Sequence, residues 1–90
     1  MFKPYAIVSK NYSMILENDK GYYLIGTYDG YKFDIQFPLV TNTLDKYSRF
    51  CHFEPITVEQ ELENADMIES ALKACEENEH YLDMLGKGLG

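Results

Sequence analysis

The chain has 90 residues, a formal charge of −7, 46% apolar residues and eight tyrosines, enough for one core without metal or disulfide support and too apolar for a disordered chain. The charge is unevenly placed: residues 1–53 hold five acids and six bases, whereas residues 54–90 hold ten acids and two bases. A protein that grips phosphates shows the reverse, a basic patch, so the composition argues against direct nucleic-acid binding.

A first strand is expected at residues 5–8, with Pro4 tolerated at its edge. A turn at Lys10 and Asn11 leads to a second strand at 12–17. Asn18, Asp19, Lys20 and Gly21 then have the composition of a four-residue hairpin loop, closed by Gly21 at positive φ. Residues 22–28 and 31–37 flank Asp29-Gly30, the pattern of a type I′ turn. Such a turn pairs Tyr28 with Tyr31, Gly26 with Phe33, Leu24 with Ile35 and Tyr22 with Phe37, placing all eight on one face. That face is expected to carry the helix. The face of Tyr23, Ile25, Thr27, Lys32, Asp34 and Gln36 is expected to meet water.

Pro38 is expected to end the strand. Residues 41–56 form a connector with two readings: a short helix through Leu44, Tyr47 and Phe50, or an alternating strand through Tyr47, Arg49, Cys51 and Phe53. The reading adopted is a helical turn followed by an extended segment, with Phe50 and Phe53 covered by the helix that comes next.

Residues 57–85 contain no Gly or Pro and are rich in Glu, Ala, Leu, Met and Lys, which predicts one long helix. Thr57 with Gln60 three residues later forms a capping box, and Glu59 and Glu61 suit the positive end of the helix dipole. Gly86 is the expected left-handed stop, and residues 86–90 a flexible tail. At 100° per residue, Val58, Leu62, Ala65, Ile68, Leu72 and Cys75 share a core face. Glu59, Glu63, Asp66 and Glu77 share the opposite, acidic face. A second stripe of Met67, Ala71, Ala74, Asn78, Tyr81 and Leu85 has the spacing of a helix-contact seam. A helix of this length reaches about 42 Å and a seven-residue strand about 23 Å, so one end overhangs the sheet. The pattern places that overhang at the C-terminal end, beyond Glu76.

These elements predict one α+β domain over residues 1–90: an antiparallel β-meander of three to five strands packed on one face by a long C-terminal helix. No residue pattern in it names a reaction. Cys75 and His80 stand about 140° apart around the helix and cannot share a metal ion, so no metal or cofactor is expected. Cys51 and Cys75 do not make a disulfide framework, and Cys75 reads as a buried small hydrophobe. Residues 1–10 lack the apolar stretch of a signal peptide and no run approaches a membrane span, so a cytoplasmic protein without membrane contact is expected.

In size and charge alone the chain resembles small acidic phage-type inhibitors, which block nucleic-acid-handling enzymes by presenting carboxylates where phosphates sit. From Glu59 to Asp83 there are nine acids, about one per 4 Å of helix against one charge per about 3.4 Å of a nucleic-acid strand. The leading expectation is therefore a non-enzymatic domain that meets a basic protein surface through Glu59, Glu63, Asp66 and Glu77. The stripe of Met67, Ala71, Ala74, Asn78, Tyr81 and Leu85 is expected to contact another helix, in a homodimer or in a partner. The alternative is a small-ligand-binding protein or small enzyme with a pocket between sheet and helix.

Overall fold

A computed structural model of the chain describes residues 1–8, 12–35, 38–49 and 51–87. Five antiparallel strands form one sheet in the order β4-β3-β2-β1-β5. They are β1 (Lys3–Val8), β2 (Ser13–Asn18), β3 (Gly21–Thr27), β4 (Leu39–Thr41) and β5 (Phe53–Pro55). β2 is central, and its run Met14, Ile15, Leu16 is buried on both sides, as a strand covered on two faces requires. The expected α+β fold is present, and the sheet carries helical structure on each side.

One core lies between the sheet and the C-terminal helices. It contains Phe2, Met14, Leu16, Tyr23, Ile25 and Phe33 from the strand side and Met67, Ile68, Ala71, Cys75 and Leu82 from the helices. A second core on the opposite face joins Ala6, Val8 and Ile15 to Tyr47, with Tyr5, Tyr22, Leu24 and Phe53 packed around them. The topology explains the second core. Because β4 and β5 lie on opposite edges, the chain between them must cross a whole face, and the 3₁₀ helix Leu44–Arg49 makes that crossing. The helical turn and extended segment expected in the connector are both present. Phe53, however, packs edge-on against Tyr5 on this face, away from the C-terminal helices. Phe50 lies outside the described residues.

Tyr47 locks the crossing in place. Its hydroxyl accepts from the Leu24 N–H at 3.1 Å, and the carbonyl oxygens of Tyr22 and Leu39 lie at 2.8 and 2.5 Å as acceptors for its proton. Burial pushes this phenol well above the ordinary tyrosine range. Tyr47→Phe is expected to lower stability by about 1–2 kcal/mol, because it strips partners from part-buried backbone groups of β3 and β4. Equilibrium urea unfolding with an unchanged slope checks this.

The Asp29-Gly30 hairpin departs from the two-residue turn. Gly30 has φ +104°, but Asp29 is not among the positive-φ residues, so the type I′ requirement fails. Instead the Asp29 carboxylate accepts from the N–H groups of Tyr31 and Lys32 at 2.8 and 3.0 Å, widening the loop. Tyr28 therefore faces Phe33 and not Tyr31. Tyr31 is exposed, where the two-residue turn would have packed it. Over residues 31–35 the expected strand is reduced to that bridge, and regular pairing is seen from Leu39, which faces Leu24. The predicted pairing of Tyr22 with Phe37 lies outside the described residues, as do the turn at Lys10 and Asn11 and the last three tail residues.

The two faces of β3 are the reverse of those expected over half its length. Ser13 pairs with Thr27 but Met14 with Ile25, so β3 carries one extra residue at Gly26. A bulge of this kind shifts the alternation by one step. Tyr28, Phe33 and Ile35 consequently remain on the helix side as expected, while Tyr22 and Leu24 turn to the 3₁₀ helix. Tyr23 and Ile25, expected at the watery face, are instead buried beneath the C-terminal helices.

The predicted helix at 57–85 forms as three segments: α1 (Val58–Glu63), α2 (Ala65–Glu77) and α3 (Glu79–Gly86). Asn64 and Asn78 interrupt it, at φ/ψ of −116°/31° and −116°/22°. The Asn64 and Asn78 side-chain amides donate to the carbonyls four residues back, Gln60 O at 3.0 Å and Ala74 O at 2.8 Å. Each of these carbonyls also accepts the asparagine's own backbone N–H, at 3.0 and 3.2 Å, so the side chain shares an acceptor with the ladder at the residue where the dihedrals leave the helical range. Gly86 is the last residue of α3 and Lys87, with φ −66°, is the cap, so the helix ends without the expected left-handed glycine.

Candidate acidic and apolar surface at the α1–α2 junction

The capping box forms as its residues predict. Thr57 Oγ accepts from Gln60 N at 3.1 Å and Gln60 Oε1 accepts from Thr57 N at 3.0 Å, starting α1 without help from tertiary packing. Every residue of α1 is exposed. Val58 and Leu62, one turn apart on one side, are 73% and 75% exposed, and Ala65 is exposed beside them. This corrects the expected core face. Its second half, Ile68 and Cys75, is buried as predicted, but the break at Asn64 separates Val58, Leu62 and Ala65 from the sheet. The overhang is thus at the N-terminal end, whereas Leu82, beyond the point where burial was expected to stop, is fully buried.

The acidic residues are placed in two groups. Glu59, Glu63 and Asp66 are exposed around the α1–α2 junction, while Glu77 stands near the far end of α2. Both ion pairs among the described residues end on Asp83, from Lys20 and from Lys87 at 4.0 Å. The hydrogen bond from Lys20 holds the Asp83 carboxyl below its ordinary range. The junction carboxylates enter neither pair.

The residues of the second stripe are also divided. Met67 and Ala71 are buried in this chain's own core, and Ala74 and Leu85 pack at its margin. The Asn78 amide is held by its own helix, and Tyr81 is exposed. Tyr12, like Tyr81, is exposed, whereas Tyr23, expected at the watery face, is buried.

Two open depressions share Tyr12 and Tyr28, and one of them adjoins the α1–α2 junction. The first, about 480 Å³, is lined by Tyr12, Tyr28, Leu62, Ala65 and Met67, with Glu63 and Asp66 also on it. The second, about 300 Å³, continues from Tyr12 and Tyr28 to Asp29 and Gly30. Tyr12 is 67% exposed and sits at φ +51°, a left-handed conformation that costs a tyrosine about 1–2 kcal/mol. A separate groove of about 690 Å³ runs between the hairpin loop and α2, where Lys32 and Lys73 alternate with Asp29, Asp34 and Glu77. That groove is the site the ligand-binding alternative would use, and its mixture of charges favours no single ligand sign.

No nucleophile emerges from the cysteines. Burial pushes the Cys75 thiol up to about 12 and raises that of Cys51, and they lie in the two cores on opposite sides of the sheet. Among the described residues no three His, Cys, Asp or Glu side chains come together to hold a metal ion, and no helix is long and apolar enough to cross a membrane. The chain matches no protein-family model, no curated protein and no solved structure.

Helical periodicity hides the apolar part of this surface, because it places Val58, Leu62 and Ala65 on the same stripe as the buried Ile68 and Cys75. The available signal was Asn64. Its side chain competes for backbone groups and lowers helix propensity at the point where the face changes from exposed to buried.

Proposed function

We propose that this chain is a non-enzymatic protein-binding domain whose partner presents a basic surface to the α1–α2 junction, in the manner of small acidic inhibitors of nucleic-acid-handling proteins. The observation that carries the reading is α1 itself: a helix contributing no buried residue, with Glu59, Glu63 and the adjoining Asp66 unpaired at the surface. A helix that adds nothing to the core and concentrates charge of one sign suits recognition by a complementary surface. Glu77 belongs to the same acidic segment but stands apart from this cluster.

The triple substitution Glu59→Lys, Glu63→Lys and Asp66→Lys tests it, because all three side chains are exposed and their reversal should leave the melting temperature nearly unchanged. Proteins captured from the native host by the parent chain should be lost with the triple variant. They should also be released as salt rises from about 0.05 to 0.5 M, over which screening shortens from about 14 to 4 Å, and displaced by added DNA or RNA. Equal capture by the triple variant would remove the acidic cluster from the interface.

A further inference from the structure

The carboxylates at the α1–α2 junction surround an apolar surface that this chain does not cover. Val58 and Leu62 lie on one side of α1 and Ala65 follows across the Asn64 break, all exposed. Opposite Leu62 stands Tyr12, and the two depressions that share Tyr12 and Tyr28 make a trough running from the α1–α2 junction to the Asp29-Gly30 loop. Met67, buried, lines it from below. Tyr12 adds a second sign of purpose, since glycine would hold φ +51° at less cost than a tyrosine that leaves most of its ring in water.

We propose that this trough seats one amphipathic helix of a protein partner, apolar on the side that enters and bearing lysine or arginine along its flanks. The proposal deepens the binding-domain reading and rests on it. Charge selects the occupant. Glu63 and Asp66 border the trough at one end and Asp29 at the other, with Glu59 one turn away, so a basic occupant meets carboxylates at both ends. A second copy related by a twofold axis would set these carboxylates against their own counterparts. An anionic lipid surface meets the same repulsion. Among the described residues the walls are side chains of α1, α2, Tyr12 and Tyr28, and the Tyr28 backbone is already paired, its N–H with Tyr12 O at 3.1 Å and its other side with Phe33, so it offers no edge to an extended peptide, whereas Val58 and Leu62 at i and i+4 match the anchor spacing of a helix laid alongside.

The test uses the full chain and a synthetic Lys/Leu peptide with leucines at i, i+4 and i+7 and lysines flanking them, together with a scrambled peptide of the same composition. Binding is read by fluorescence anisotropy and by NMR shift changes. The ordered peptide should bind at least about tenfold more tightly than the scrambled one and perturb Val58, Leu62 and Tyr12. Leu62→Ser and Tyr12→Gly should each weaken it by about tenfold with the melting temperature retained. Equal binding of the two peptides would overturn the proposal. So would unaltered binding by Leu62→Ser and Tyr12→Gly; if the triple lysine variant still abolished binding, the trough inference would fail while the acidic-surface reading stood. A doubled sedimentation mass of the chain alone, abolished by Leu62→Ser, would assign the trough to a second copy and also overturn it.

Discussion

Gly26→Ala is expected to cost about 3 kcal/mol or more. A Cβ at this position would lie 1.6 Å from the carbonyl oxygen of Asp34 and 2.8 Å from its carbonyl carbon. The obstacle is backbone, so no side-chain rotation relieves it. The returning segment is held to β3 on the loop side of the contact, where the Tyr28–Phe33 bridge is made by the Asp34 N–H donating to Thr27 O at 2.9 Å and the Asp29 N–H donating to Lys32 O at 3.3 Å. Making room for one methyl group therefore means withdrawing the segment that carries Phe33 and Ile35 into the helix-side core. Chemical denaturation of the variant measures the loss, and stability equal to the parent would mean that Asp34 does not cross Gly26 at this distance.

The second large effect separates two neighbours on β3. Ile25→Ala should cost about 2–5 kcal/mol, since Ile25 is 1% exposed and fills the space between sheet and α2–α3. Leu24→Ala should cost on the order of 1–2 kcal/mol, because Leu24 is half-buried at the margin of the 3₁₀-side core. Urea unfolding of both variants gives the ordering. A larger loss at Leu24 would place the C-terminal helices on the Leu24 face.

That ordering shows what was legible in the residues and what was not. Strand alternation correctly indicates that β3 has two distinct faces, but periodicity carries no information about where a bulge inserts an extra residue. One residue at Gly26 exchanges the faces of Tyr22, Tyr23, Leu24 and Ile25 relative to Tyr28. The hairpin shows a similar limit. Asp29-Gly30 does mark a turn, yet the Asp29 carboxylate binds two following amides and sets a longer loop than the dipeptide alone suggests.

The helical segment was legible at its start and ambiguous within. Thr57 and Gln60 define its first turn by chemistry local to four residues, and the capping box forms as expected. Asn64 and Asn78 each hold a carbonyl four residues earlier and divide the helix, and a wheel drawn at a uniform 100° cannot represent such breaks. The acidic residues were legible as a surface, because all four named carboxylates are exposed. The apolar trough beside them was not, since exposure of Val58 and Leu62 depends on how α1 sits relative to the sheet, a tertiary property.

The exposure of α1 therefore supports both the architecture and the proposed function, and methyl NMR with a soluble paramagnetic agent measures it directly in the free protein. The Val58 and Leu62 methyl signals should be strongly attenuated while those of Ile25, Ile68 and Leu82 are protected, in keeping with 73% and 75% exposure against 1%, 8% and 0%. Protection of Val58 and Leu62 equal to that of Ile25 would place α1 on the body of the protein and leave the junction without an apolar anchor for a partner.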